Sequence, residues 1–258
     1  MKVVILAGGY GTRLSEETES RPKPMIEVGG KPLLWHIMKL YWRYGYHEFI
    51  ILAGYKGHVI KEYFANYYIH HSDITFDLQS RTFEVHSQST EPWKVTILDT
   101  GMDTMTGGRL LRAKSLLQDS PFFLTYGDGL SDVDIPSLLK VHNESGGIIT
   151  ITTVQPDGRF GLVESRKGGK VSRFSEKPLG DGGRVSGGFF VCEPGIFDYL
   201  SDGDETILER TPFESLTSDG QMFSYFHSGF WKCIDTLRDV RQVNDLWKNQ
   251  LAPWKVWD

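Results

Sequence analysis

A short run, Lys2 to Leu6, apolar after its first residue, leads without a break into Ala7-Gly8-Gly9-Tyr10-Gly11-Thr12-Arg13-Leu14. Continuous apolar character reads as a strand covered on both faces, and such a strand demands a layer on either side of its sheet. The glycines that follow let backbone N–H groups approach an anion closely and open φ > 0 to the chain. Arg13 adds a rigid positive fork. A plain tight turn would use the same glycines, and this segment alone does not separate the two readings. Two familiar glycine motifs do not fit. Counting from Gly9, a dinucleotide fingerprint would place its third small residue at Leu14. A P-loop needs Gly-Lys followed by Ser or Thr, and no such tripeptide occurs.

Strand and helix signals then alternate. Pro32 to Tyr44 carries apolar residues at helical spacing, with a proline in its first turn and Gly45 as its stop. Glu48–Ala53 is a second buried strand and Lys56–Asn66 a second helix. Strands are expected again at Pro121–Tyr126, Gly147–Val154 and Met222–Phe226, with Asp134 capping a helix from Ile135 and Thr236 starting a last helix. This order predicts an α/β protein with a single doubly wound, mostly parallel sheet. Residues 67–106 break the rhythm with short strands and loops rich in aromatic residues, read as a small β-rich insertion that packs either on its own core or on another subunit. Residues 160–258 form an elaborated C-terminal half. No linker interrupts the 258 residues, so one domain spanning 1–258 is expected.

Composition narrows the function classes. The net charge is −5 and no basic run occurs, which argues against non-specific nucleic-acid binding. An anionic ligand would have to be held by local positive groups in an acidic body. Cys192 and Cys233 form no C-x-x-C pair and are read as free thiols in a reducing cytosol. The first apolar run is too short for a signal peptide, and no stretch nears the ~18 apolar residues of a membrane span. A cytoplasmic protein without membrane attachment is expected.

Charged residues then collect around the opening loop. Lys23 lies between Pro22 and Pro24, which predicts a stiff, extended presentation of its ammonium. Asp128 follows an apolar strand and is flanked by glycines; ligands of open α/β sheets gather at such strand ends. A carboxylate there, facing a phosphate loop, suits Mg²⁺, although a turn aspartate looks the same. Asp235 is the candidate second carboxylate, with helix capping as its competing role. Lys177, in Glu176-Lys177-Pro178, is again held before a proline, and Gly187-Gly188 inside a strand marks a bulge or a close ligand approach; standing alone, both read first as surface hairpin chemistry. The eight histidines form no metal-ligand spacing, and Gly-x-Ser-x-Gly is absent.

Leu6–Leu14 (L-A-G-G-x-G-T-R-L), Pro22-Lys23-Pro24, Gly127-Asp128, Glu176-Lys177-Pro178 and Gly187-Gly188-Phe189, in that order over nearly the whole chain, resemble the sugar-phosphate nucleotidylyltransferases. Lys31–Met38, Glu91-Pro92-Trp93, Met105–Arg109, Asp235–Asp239 and Ala252–Lys255 are similar to the glucose-1-phosphate cytidylyltransferase subfamily. The resemblance implies a Rossmann-like nucleotidyltransferase fold and the reaction of CTP with α-D-glucose 1-phosphate to give CDP-glucose and pyrophosphate, a step towards bacterial dideoxysugars and O-antigen. It implies nucleotide contact by Leu6, Ala7, Gly8, Gly9, Gly11, Thr12, Arg13, Lys23, Thr106 and Arg109. It implies sugar-phosphate contact by Glu176, Lys177 and Gly188, Mg²⁺ ligation by Asp128 and Asp235, and catalytic roles for Arg13, Lys23 and Asp128. A homo-oligomer is implied as well, a hexamer being the candidate form. Phe230-Trp231-Lys232-Cys233-Ile234 departs from the subfamily's Trp-Gln-Pro-Met and puts a lysine beside a candidate metal ligand. The alternatives are the same reaction with UTP or dTTP, a non-catalytic sugar-nucleotide-binding regulatory subunit, and a dinucleotide-dependent reductase, the last weakened by Leu14.

Overall fold

Seven strands form the main sheet: β1 (Lys2–Ala7), β2 (Glu48–Ala53), β3 (Lys94–Asp99), β4 (Phe122–Tyr126), β5 (Ile149–Val154), β6 (Val185–Cys192) and β7 (Met222–Phe226). The computed structural model describes residues 1–87, 90–156, 162–165, 170–175 and 183–257, and only the backbone of Arg13, Ser15, Glu16, 162–165, Phe174 and Ser175. The spatial order is β7-β5-β6-β4-β1-β2-β3. β1 pairs in parallel with β2 and β4, β2 with β3, and β5 with β7, while β6 runs antiparallel to both β4 and β5. The sheet is therefore mostly parallel, as the alternating pattern predicts.

Alternation along β1 explains its unbroken apolar run. Val3, Ile5 and Ala7 join one core layer with Phe49, Ile51 and Ala53 of β2 and with Leu34, Ile37 and Tyr41 of the helix Leu33–Arg43. Val4 and Leu6 point the other way, into a layer with Ile50, Leu52, Leu110 and Leu117. Every second residue meets a different layer, so none is left for water. Pro32 is the N-cap of that helix, one position earlier than the sequence pattern places it.

A third cluster ties the chain's end to its beginning. Trp254 and Trp257, both buried, pack with Trp35, Ile234 and Val243. His36 sits among their rings, donating from Nε2 to the Val28 carbonyl at 2.9 Å and accepting from Trp254 at 3.3 Å. That pair of bonds sets its neutral tautomer, and burial pushes its pKa down to about 4.

The 67–106 segment divides. The strand expected around Val95–Leu98 is the edge of the main sheet, not part of an insertion, because its apolar residues complete a parallel ladder with β2. Ile74–Asp77 and Thr82–Val85 form a separate hairpin. Tyr67 is buried and hydrogen-bonds Glu91 at 2.5 Å, whereas Phe76, Leu78 and Phe83 are 56%, 87% and 52% exposed. Among the described residues no helix is long and apolar enough to cross a membrane.

Candidate active site

The chain leaves β1 to build β2 and β3 on one side and then crosses to β4 on the other. This reversal opens a crevice at the carboxyl ends of β1 and β4, the place where open α/β sheets bind ligands. The Gly127 N–H donates to the Leu6 carbonyl at 2.9 Å, so the loops carrying Gly8 and Asp128 start side by side. A cavity of about 550 Å³ lies over them. Of the residues expected from sequence, Leu6, Ala7, Gly8, Gly9, Gly11, Thr12, Lys23, Thr106, Arg109, Asp128 and Asp235 line it.

The three loop glycines serve different needs. Gly9 meets nothing within 4 Å at its β-carbon position and leaves the backbone open to the cavity. Gly11 has φ +65, the left-handed region that disfavours side chains. At Gly8 the space of a β-carbon is filled by the Arg109 guanidinium. Arg109 is 5% exposed and donates to the carbonyls of Gly8 (3.0 Å), Gly101 (2.6 Å) and Met102 (3.1 Å) and to Thr100 Oγ1 (2.8 Å). Burial and nearby Arg112 draw its pKa below the ordinary guanidinium value. These partners are neutral acceptors, so the guanidinium charge beneath the loop is not cancelled by its hydrogen bonds.

Thr106 donates to Glu209 at 2.7 Å and accepts from the Leu208 N–H at 2.9 Å. The N–H groups of Gly107 and Gly108 bond the Thr206 carbonyl, so the short helix Thr106–Arg112 spends its amino end on the protein itself. Glu209 also accepts from Tyr126 at 2.5 Å, linking Thr106 to the end of β4.

Lys23 does not lie on extended backbone as its prolines suggest. It opens a 3₁₀ turn, Lys23–Met25, closed by Met25 N–H to the Pro22 carbonyl at 2.8 Å and Ile26 N–H to the Lys23 carbonyl at 3.1 Å. Those bonds outweigh the pre-proline preference, and Pro24, which has no N–H, loses nothing in the turn. Pro24 packs on Gly127, where a β-carbon would collide with it. The Lys23 ammonium thereby reaches both Asp128 and Asp235 at 2.7 Å. Burial opposes its charge, but attraction to Asp128 and hydrogen bonds to both carboxylates outweigh it and raise its pKa.

The competing role for Asp235 falls to its neighbour. Thr236 is the cap of the helix Leu237–Lys248, in a reciprocal capping box with Asp239. Lys232 pairs with Asp239 at 3.1 Å, so the lysine that departs from the subfamily pattern is engaged on the helix start. Bonds from Thr236 and Lys232 overcome burial and lower the Asp239 pKa. Cys233 completes the group: its sulfur and one oxygen each of Asp128 and Asp235 lie within 4.8 Å of one another. Burial and the Asp128 charge push its thiol up to about 12. Two carboxylates presented together fit a divalent cation bound jointly with phosphate oxygens.

Gly188 is a bulge residue, with φ +74 and Phe189 at φ 50; the β5–β6 register shifts here. It packs against the Tyr126 ring beside the cavity. Glu176 and Lys177 lie outside the described residues, as does the Arg13 side chain; the Arg13 backbone is in the 3₁₀ turn Thr12–Leu14. Sequence reasoning passed over Tyr10, which donates to Asp103 at 2.5 Å across the cavity rim; it stood in plain view inside the glycine motif. Ser131, His227 and Asp132 also meet, but all through His227 Nε2. A nucleophilic triad needs the two ring nitrogens to face different partners.

Residues 2–251 match the family model described as nucleotidyl transferase, and the chain belongs to that family. At higher resolution it is similar to the glucose-1-phosphate cytidylyltransferase of Salmonella typhimurium (strain LT2), with 51% identity and 100% of each chain covered. Among solved structures, HddC from Yersinia pseudotuberculosis superposes with TM-score 0.70 at 22% identity, over 95% of this chain and 99% of that one. UDP-glucose pyrophosphorylase complexed with UDP-glucose superposes with TM-score 0.67 at 16% identity, over 96% and 98%. At those identities the two structures establish the shared fold.

Proposed function

We propose that the chain transfers a cytidylyl group from CTP to α-D-glucose 1-phosphate, giving CDP-glucose and pyrophosphate. The observation that carries the chemistry is the meeting of Lys23, Asp128 and Asp235 beside a glycine loop backed by the Arg109 charge. The base and sugar follow the full-length likeness to the Salmonella enzyme. A phosphate oxygen of the sugar phosphate attacks the α-phosphorus in line; the bond to the bridging oxygen breaks and pyrophosphate leaves. Both reactants are polyanions, so repulsion and orientation dominate the barrier, and no covalent protein intermediate is required. The loop from Leu6 to Arg13 and Thr106 hold the nucleotide. Lys23 neutralises phosphate charge, and Glu176, Lys177 and Gly188 receive the sugar phosphate. Asp128 and Asp235 would hold Mg²⁺, which when bound supplies further neutralisation of the phosphates.

Pyrophosphate release from CTP, UTP and dTTP, each with glucose 1-phosphate and Mg²⁺, tests this reading. Release is expected chiefly with CTP. Faster release with UTP or dTTP overturns the base assignment, and none with any nucleotide supports a regulatory binding protein. We also propose a cytoplasmic homo-oligomer, with a hexamer as the candidate. The exposed Phe76, Leu78 and Phe83 support assembly, and the two free cysteines suit a reducing compartment. Light scattering that returns a monomer removes the assembly.

A further inference from the structure

The carboxylate pair has a soft third neighbour. The strand Trp231–Cys233 runs antiparallel to Gly129–Ser131, with Cys233 opposite Gly129 and the Ile234 N–H bonded to the Asp128 carbonyl at 3.0 Å. This ladder fastens Cys233 beside Asp128. Asp235 follows two residues later, a spacing that on extended backbone returns to the same side. The sulfur and the two carboxylate oxygens thus lie within 4.8 Å of one another, and the two aspartates line the cavity. The Lys23 ammonium bridges both carboxylates, which marks the spot between them as one that a positive charge fills.

Carboxylates alone favour hard cations such as Mg²⁺, whereas a thiolate selects softer ones. We propose that Cys233 makes this cation site a three-ligand Asp128–Cys233–Asp235 site for a thiophilic divalent cation of the zinc and cadmium class, competing there with Mg²⁺. The inference extends the divalent-cation reading of the site given above. On binding, a metal–sulfur bond forms, the thiol proton passes to solvent, and the Lys23 ammonium withdraws from between the carboxylates. No electrons are transferred.

Cadmium is the probe, because its bond to a thiolate absorbs in the ultraviolet without any nucleotide or turnover. The full chain, reduced and metal-free, is titrated with Cd²⁺. A saturable thiolate-to-cadmium band is expected, reversed by excess Mg²⁺. Cys233→Ser should abolish the band and Cys192→Ser, at the other cysteine, should keep it. Asp235→Asn, which retains the thiol, should weaken Cd²⁺ binding by at least about 10-fold, the lower end of what even an outer-shell partner costs. No band in the unaltered chain, or a band that survives Cys233→Ser, overturns the inference and leaves nucleotidylyl transfer standing. A band in a chain that releases no pyrophosphate does the reverse.

Discussion

Arg109 and Gly8 share one volume: the guanidinium donates to the Gly8 carbonyl at 3.0 Å and fills the place of the β-carbon that Gly8 lacks. The same guanidinium holds Thr100, Gly101 and Met102, so one side chain sets the spacing between two walls of the cavity. Gly8→Ala should expel it, destabilise the protein by about 1–3 kcal/mol and raise the KM for CTP. Gly9→Ala, with open space at its β-carbon, is the control and should melt like the unaltered protein. Equal melting of the two variants would show that Arg109 can leave freely.

Asp128 and Asp235 should each be needed for turnover. Asp128→Asn is expected to lower kcat by on the order of 100-fold or more, with a modest fall in melting temperature as Lys23 loses one of its two charged partners. Unaltered kcat in this variant would sink the cation assignment.

Lys23 separates two carboxylates that would otherwise repel. Lys23→Met should destabilise the fold by about 3 kcal/mol, the low end for removing one partner of a buried ion pair. Mg²⁺ should raise the melting temperature of this variant more than that of the unaltered chain, since the ion no longer competes with the ammonium. Identical Mg²⁺ shifts in both proteins would argue that the ion binds elsewhere.

His36 ties stability to pH. Its pKa falls from 6.5 in the unfolded chain to about 4 in its tryptophan-lined site. Between those values the unfolded chain binds the proton and the folded one does not, so stability is complete above 6.5 and declines as pH falls towards 4. The decline attributable to His36 is ~3 kcal/mol. Urea denaturation from pH 7 to 4.5 should show it, and His36→Gln should flatten that slope. An unchanged slope in the variant would assign the acid sensitivity to other groups.

Much of this was legible in the chain itself. The unbroken run of β1, the caps at Asp134 and Thr236, and the helical spacing after Pro32 are local patterns with local causes, and they appear within a residue or two of their expected bounds. The bulge at Gly188 was marked by its glycines. Less legible were the features that depend on a distant partner. Lys94–Asp99 looked like inserted strand because only its pairing with Glu48–Ala53 makes it part of the main sheet. The backbone of Lys23 followed its turn bonds instead of its proline neighbour. Cys233 looked like an ordinary free thiol until the ladder with Gly129 set it beside Asp128.

The sequence by itself determined the elements and the inventory of charged groups, because propensity, capping and apolar periodicity act over a few residues. Tertiary structure decided what those groups face. Asp128 and Asp235 are 107 positions apart, and no local rule joins them; the crossing at β1 and β4 and the ladder between Gly129–Ser131 and Trp231–Cys233 do. The glycines had the same division. Their lack of a side chain was written in the chain, but that Gly8 makes room for a buried arginine and Gly11 for a left-handed turn was decided only by the tertiary fold.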